Sequence, residues 1–375
     1  MLDKNSIQII KDTVPFLQEK GTEITTIFYS NMFKAHPELL NIFNPNNQKK
    51  GLQQKALANT VLAAAQHIED LSVLSQHVNQ IGHKHRALQV KPEHYPIVGK
   101  YLLEAIGIVL GDNKSQKVLD AWEKAYGEIA TIFINIETDM YKKATWAGFK
   151  PFKIFSLDSS SKDVIKIGLE SENDIGFIEP GSYITINLKN PVDTYFSNRH
   201  YSVYDYDRIK KQLYIAVQLE SEGNISSYLN KKINLDDTLH LSAPAGDFQL
   251  QKSTRQIFIS SGIGVTAIYP LFKSALELGN NSIWIQNYKN KDSLILENEV
   301  NALPFEKDIY TNISSEDGRL NAESLMRILK NDFTGIFYIC GSPEFTLGVK
   351  KILISNGVDD TMINYELFDV PKMSL

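Results

Sequence analysis

Near residue 145 the chain changes its hydrophobic period, and that change limits the possible folds more than any other feature. Up to Tyr141, apolar residues recur at three- and four-residue spacing, with Gly or Pro at joints such as Gly21, Pro37, Pro45, Gly51, Pro92 and Gly111. The spacing predicts about six helices, over 3–19, 22–36, 51–67, 71–87, 93–109 and 115–142, with Pro15 bending or shortening the first. Beyond the Ala144 to Pro151 joint, short β-rich runs take over: Lys153 to Leu157, Val164 to Leu169, Tyr183 to Leu188, Tyr201 to Tyr204, Leu213 to Val217 and Thr238 to Ser242. Separated by turn-rich segments, they read as a small antiparallel β-barrel. From Arg255 onward, strands at Ile257 to Ser260, Ile283 to Gln286 and Ile336 to Cys340 alternate with helices near Ala267 to Leu278 and after Pro343, the order of a parallel α/β domain. The expected domains are therefore 1–143, all-α, then 150–252 and 255–375, a division that suits 375 residues at roughly 150 per domain.

Composition narrows the partners. Thirty-nine basic against forty-four acidic residues leave a net charge of −5, with no run of like charge long enough to follow a polyanion, so nucleic acid is not an expected partner. Apolar stretches such as Val61 to Ala65 and Gly335 to Cys340 fall far short of the roughly 20 residues that span a bilayer, so no transmembrane segment is expected. A single cysteine, Cys340, and the absence of a signal-peptide core point to a reducing, cytoplasmic compartment.

Polar residues on inward-facing stripes carry the functional argument for the helical part. Leu74, Val78, Ile81, His85 and Leu88 form one stripe, which directs the His85 imidazole to the interior. Tyr126, Ala130, Phe133, Glu137 and Tyr141 form another, and Tyr95, Val98, Leu102, Ile106 and Val109 a third. Gln53 precedes Leu57, Val61, Ala64 and Ile68 by one turn, and Tyr29 accompanies Phe28, Met32 and Phe33. Any one of these residues reads as an ordinary hydrogen-bonded core group. Five polar groups on five helices, which would cost several kcal/mol if unpaired, fit a polar, cofactor-sized cavity.

The later domains carry loop signals. Gly223-Asn224-Ile225-Ser226 places a glycine at the start of a short helix, whose free N–H groups suit a pyrophosphate. Ser260-Ser261-Gly262-Ile263-Gly264-Val265-Thr266 follows an apolar strand and precedes a helix, the context of a glycine-rich nucleotide loop, and Cys340-Gly341-Ser342-Pro343 follows another strand. Cys340 itself reads as a small buried thiol.

The first 140 or so residues resemble a globin, and the whole chain resembles a bacterial flavohaemoglobin, a nitric oxide dioxygenase, including the stretches Lys91 to Gly99, Asp120 to Gly127 and Asn135 to Tyr141. The resemblance implies haem b with His85 as its iron ligand, Phe43 at the ring-stacking corner, Leu57 among the haem-binding residues, Tyr29 with Gln53 on the opposite side, and Tyr95 with Glu137 tuning His85. Arg199-His200-Tyr201-Ser202 is similar to the Arg-x-Tyr-Ser pattern of ferredoxin-reductase-like flavoproteins; with Tyr183, Gly223, Ile225 and Ser226 it implies FAD. Gly262 to Ala267, Cys340 and Gly341 imply NADH or NADPH, and Glu366-Leu367-Phe368 resembles the family tail whose ring covers the flavin. Lys84 and Glu366 match positions that the family places between haem and flavin. The departures are Ala267 for a proline, Ser342 for a proline or glycine, and Leu367 and Asp369 around Phe368.

The implied reaction converts nitric oxide and O2 to nitrate with electrons from NAD(P)H, and it needs FAD to split a hydride pair into the single electrons that iron accepts. A monomer is expected. The alternatives are a haem-based oxygen-binding or gas-sensing protein with an attached flavin reductase, and a haem-free reductase with a helical interaction domain.

Overall fold

The computed structural model describes residues 2–43, 51–111, 115–159, 161, 163–191, 193–220 and 223–368; Pro45 and Asp369, singled out above, lie outside them. The chain divides into two compact units, one of Met1–Ala147 with Lys189–Asn198, the other of Gly148–Leu188 with Arg199–Phe368.

The first unit is helical: α1 (Lys4–Asp12), α2 (Val14–Ala35), α3 (Leu52–Gln66), α4 (Ser75–Ala87), α5 (His94–Leu110) and α6 (Gln116–Lys143). One expected boundary is wrong. The spacing puts the first joint at Gly21, whereas the chain breaks at Thr13 and Pro15 occupies the first turn of α2, where a missing N–H costs no hydrogen bond. Gly21 instead lies within α2 as a point of close approach: a Cβ there would stand 3.3 Å from the Ala58 Cβ of α3. The expected 71–87 helix is also divided, into a 3-10 turn Leu71–Leu74, capped by Asp70, and α4. Ile10, Leu17, Ile24, Phe28, Met32, Leu102, Ile106 and Trp122 form the main core, and Val78, Tyr95, Ala130 and Phe133 a smaller one. Each large apolar side chain so buried stabilises the unit by about 1.5–3 kcal/mol.

In the second unit, β1 (Phe149–Asp158), β2 (Val164–Glu170), β3 (Tyr183–Leu188), β4 (Ser197–Asp207), β5 (Gln212–Gln218) and β6 (Thr238–Ser242) close into a barrel in the order β1-β2-β5-β4-β3-β6. All six runs named from the sequence are strands of it. The short helix α7 (Asn224–Lys231) follows β5. The strands β7 (Arg255–Ser261), β8 (Asn281–Tyr288), β9 (Asp308–Ile313), β10 (Ile336–Gly341) and β11 (Ile363–Leu367) then form a parallel sheet in the order β11-β10-β7-β8-β9. With it go α8 (Val265–Glu277), α9 (Glu297–Asn301), α10 (Ala322–Ile328) and α11 (Pro343–Ser355).

The sequence did not announce β9 or β11. Both lie at sheet edges, where polar residues interrupt the continuous apolar run that marks an inner parallel strand. On one face of the sheet Phe258, Trp284 and Tyr338 pack with Phe272 of α8; on the other Ile257, Ile259, Phe337 and Ile339 pack with Leu325 and Leu353. Val164, Tyr204, Ala216 and Phe248 of the barrel segment join the first cluster, so barrel and sheet share a core. Among the described residues no helix is long and apolar enough to cross a membrane.

Candidate functional site

In the helical unit the stripe of α4 ends on His85. Its Nδ1 lies 2.7 Å from Glu137 Oε1 of α6 and 3.3 Å from the hydroxyl of Tyr95 on α5, and that hydroxyl donates to the same Oε1 at 2.6 Å. Glu137 is buried, and these two donors satisfy a carboxylate that would otherwise be destabilising there. Burial, and then the adjoining Glu137 charge, push the Tyr95 phenol well above the ordinary tyrosine range, so it remains a donor. Both His85 contacts use Nδ1; among the described residues no hydrogen-bond partner meets Nε2. Although it continues a core stripe, the imidazole is 33% exposed.

Two further tyrosines of α6 hold this arrangement. The Tyr126 hydroxyl donates to the Tyr95 carbonyl at 2.6 Å, and the Tyr141 hydroxyl to the Val90 carbonyl at 2.7 Å, while Val90 N–H donates to the His85 carbonyl at 2.9 Å. The sequence reading placed Tyr126 and Tyr141 on the Glu137 stripe without giving them this part. The signal was present in their recurrence on that stripe, since a buried tyrosine hydroxyl usually needs an acceptor.

Tyr29 on α2 packs among the rings of Phe28, Phe33 and Phe43, at centroid distances of 4.7, 5.6 and 5.7 Å. It is 8% exposed, and among the described residues its hydroxyl has no hydrogen-bond partner; burial pushes this phenol up as well. Gln53 stands in the first turn of α3, one turn before Leu57, and both are half-buried. One turn before Tyr29, the Thr25 hydroxyl donates to the Gln54 carbonyl at 3.0 Å, tying α2 to the first turn of α3. Phe43, Leu57, Val61 and Val98 remain only partly buried around this core. Among the described residues, an imidazole engaged at Nδ1 but not at Nε2, a buried phenol without an acceptor and apolar side chains left partly exposed fit a largely apolar group that carries a metal.

In the second unit the adjacent strands β3 and β4 bring Tyr183 together with Arg199, His200, Tyr201 and Ser202. His200 Nδ1 and the Thr185 hydroxyl are 2.8 Å apart, and the Tyr183 and His200 rings lie 4.8 Å apart. Gly223 is the N-cap of α7. Ser226 Oγ accepts from Glu220 N–H at 3.1 Å and donates to the Gly223 carbonyl at 3.3 Å, and Ile225 is buried, so these two side chains shape the turn that presents the glycine backbone.

The parallel sheet gathers the remaining candidates at the carboxyl ends of its strands, where open α/β sheets bind ligands. Ser260, Cys340 and Glu366 stand in register on β7, β10 and β11. Just beyond them come the Gly262–Gly264 turn, Gly341 and the Leu367–Phe368 tail. Gly262 has φ +52°, a conformation that favours glycine, and a Cβ on Gly264 would fall 2.2 Å from the Cys340 carbonyl oxygen, so position 264 demands glycine. Thr266 Oγ1 donates to the Ile263 carbonyl at 2.8 Å, and Val265 and Ala267 are buried beneath the loop. Ala267, in place of the family's proline, retains an N–H in the first turn of α8. Ser342, another departure, caps α11 by accepting from Phe345 N–H at 3.2 Å. Cys340 is fully buried, Leu367 is buried and Phe368 half-buried. Lys84 belongs to the helical unit and Glu366 to the second.

Residues 26–133 match the Globin family and residues 152–250 the Oxidoreductase FAD-binding domain. A flavohemoprotein of Bacillus subtilis is 39% identical over 100% of this chain and 99% of its own length, and one of Bacillus cereus is 38% identical over 100% of both. Among solved structures, the flavohemoglobin of Malassezia yamatoensis, determined with bound FAD and heme, has a TM-score of 0.89 over 98% of this chain and 99% of that one, at 24% identity. The FAD/NAD binding domain of a nitric oxide dioxygenase from Vibrio cholerae has a TM-score of 0.52 over 58% of this chain and 98% of that one, also at 24%. These two structural likenesses concern the fold. Haem, FAD and a nicotinamide nucleotide are the cofactors for which the globin, barrel and α/β modules are built, and the chain belongs to the flavohemoprotein family.

Proposed function

We propose that the protein is a nitric oxide dioxygenase that uses NAD(P)H to turn nitric oxide and O2 into nitrate, with a haem domain at 1–143, an FAD domain at 150–252 and a nucleotide domain at 255–375, acting as a cytoplasmic monomer. The observation that carries this reading is the His85–Glu137–Tyr95 cluster, in which a buried carboxylate and phenol engage His85 Nδ1. When bound, FAD parts a hydride pair into single electrons, and haem iron supplies the centre at which O2 and nitric oxide react.

His85, whose Nδ1 is taken up by Glu137 and Tyr95, would hold the haem iron. Glu137 accepts the Nδ1 proton at 2.7 Å and draws it towards the carboxylate, which raises electron density at Nε2 and favours oxidation over mere oxygen storage. Tyr95 fixes the carboxylate orientation by donating to Oε1. Tyr29 would donate a hydrogen bond to a bound gas and Gln53 would assist it, while Leu57 and Phe43 would supply apolar walls to the haem. Tyr183 and the Arg199–Ser202 run orient the flavin, and the Gly223 turn holds its pyrophosphate. Gly262–Ala267 with Cys340 and Gly341 seat the nicotinamide nucleotide, and Phe368 covers the flavin ring. Lys84 and Glu366 act as fixed charges that tune the two redox centres.

The test is stoichiometric. Aerobic holoprotein given NADH and nitric oxide is expected to form one nitrate per nitric oxide and to oxidise half as much NADH. Tight gas binding without nitrate would reject the proposal in favour of an oxygen-binding or gas-sensing protein.

A further inference from the structure

Two ion-pair clusters join the barrel to the α/β sheet, and neither belongs to the sites described above. Lys166 on β2 is only 13% exposed; its Nζ lies 2.9 Å from Asp158 of β1 and 2.8 Å from Glu299 of α9. Lys273 on α8 lies 3.0 Å from Asp205 of β4. The elements they join matter. Asp205 lies three residues beyond Ser202 on the strand that carries the flavin motif, and Lys273 lies on the helix that opens at the Gly262–Gly264 turn. A salt bridge therefore links the flavin strand directly to the nucleotide helix.

Lys166 provides a second, better buried point of attachment. The Ser161 hydroxyl donates to the Leu294 carbonyl at 3.0 Å, and the Tyr269 hydroxyl to the Glu299 carbonyl at 3.4 Å, bracketing the Lys166–Glu299 contact. Glu299 Oε2 is buried and has no partner among the described residues, so its carboxylate depends on Lys166 for compensation. The buried Tyr204 phenol is pushed up by burial and by Glu299, Asp205 and Asp158 together, as expected where carboxylates from both sides converge. Two separate attachments around the shared core of Val164, Tyr204, Ala216 and Phe248 with Val265, Ile268 and Phe272 oppose both sliding and rotation.

The geometry points to Lys166, assisted by Lys273, as a positioning residue for hydride transfer, holding the nucleotide loop of α8 at a fixed distance and angle from the flavin strand β4. In that step the hydride leaves nicotinamide C4 with its electron pair for the flavin, which also takes up a solvent proton, giving NAD(P)+ and reduced FAD. A misplacement of about 1 Å between such partners can cost about a hundredfold in rate, so a loosened attachment is visible in kinetics before it is visible in folding.

The test is anaerobic stopped-flow reduction of FAD in the full-length holoprotein, using NADH and NADH deuterated at C4. Lys166→Met is expected to retain its flavin and its half-saturating NADH concentration, to lose about tenfold in limiting rate, and to show an altered deuterium isotope effect. Lys166→Arg is expected to recover to within about twofold, because it restores both carboxylate contacts. A wild-type limiting rate and isotope effect in Lys166→Met would overturn the proposal, whatever happens to its melting temperature. Should that variant fail to fold, Asp205→Asn decides on the same readout: a limiting rate lower by about threefold at unchanged half-saturation supports positioning, and an unchanged rate rejects it. The measurement ends at the flavin, so its outcome is independent of any reaction with nitric oxide.

Discussion

The helical unit and the barrel-sheet unit present their reactive groups by opposite means. In the first, the candidate chemistry rests on side chains: His85, Glu137 and Tyr95 come from three helices and meet through two short hydrogen bonds. In the second it rests largely on backbone, at the Gly262–Gly264 turn, at the Gly223 cap and at Gly341, with Thr266 and Ser226 serving mainly to shape the loops. The contrast matches what each site has to hold. A metal needs one directed donor with a tuned basicity, which a side chain and its proton partner supply. A pyrophosphate needs several N–H groups at close range, which only a chain without Cβ atoms in the way can bring to it.

The contrast predicts that the two units fail differently, and Gly264→Ala should break the second most severely. Its new Cβ would fall 2.2 Å from the Cys340 carbonyl oxygen, so two backbone segments must separate. Hydride transfer from NADH is expected to fall by about a hundredfold, with the haem spectrum unchanged. If flavin reduction proceeds at the wild-type rate, the loop is not where the nucleotide sits. The helical unit should yield to a subtler change. Glu137→Gln keeps the size and an oxygen acceptor but removes the charge beside His85 Nδ1, so the fold and haem content should hold while nitric oxide turnover falls by roughly tenfold to a hundredfold. The iron–histidine stretching frequency of the ferrous protein should drop in parallel; an unchanged frequency would mean that the carboxylate does not tune this imidazole.

The same contrast governs what the sequence made legible. His85, Glu137 and Tyr95 could be found by period alone, because a polar residue in phase with an apolar stripe is conspicuous. Their mutual contact could not, since it depends on how three helices cross. The glycine loops were readable because strand, glycine and helix follow one another along the chain, whereas β9 and β11 escaped notice as polar-interrupted edge strands. Gly21 misled because glycine serves equally as a helix break and as a point of close contact. Only the neighbouring Ala58 on α3 distinguishes the two uses. The Lys166 and Lys273 contacts left no local signature: each lysine looks like any charged surface residue until the barrel and sheet share a core.

The smallest expected effect falls on the side of the helical site that lacks a charged partner. Tyr29→Phe removes one hydroxyl from a ring that stays packed among Phe28, Phe33 and Phe43, so the fold should be unaffected and the loss confined to one neutral hydrogen bond to the gas ligand. A bond of that kind is worth about 0.5–1.5 kcal/mol, which corresponds to roughly a twofold to tenfold faster O2 dissociation from the ferrous protein. Because burial raises the Tyr29 phenol above its unfolded value near 10, its contribution to stability is complete below about pH 10 and is lost as the pH rises further through the folded value. The donor is therefore protonated throughout the neutral range, and the ratio of O2 off-rates between variant and parent should be flat between about pH 6 and 9. Equal off-rates in the two proteins would remove Tyr29 from the gas-binding side. A ratio that changes across that interval would mean that some other titrating group, rather than this phenol, donates to the ligand.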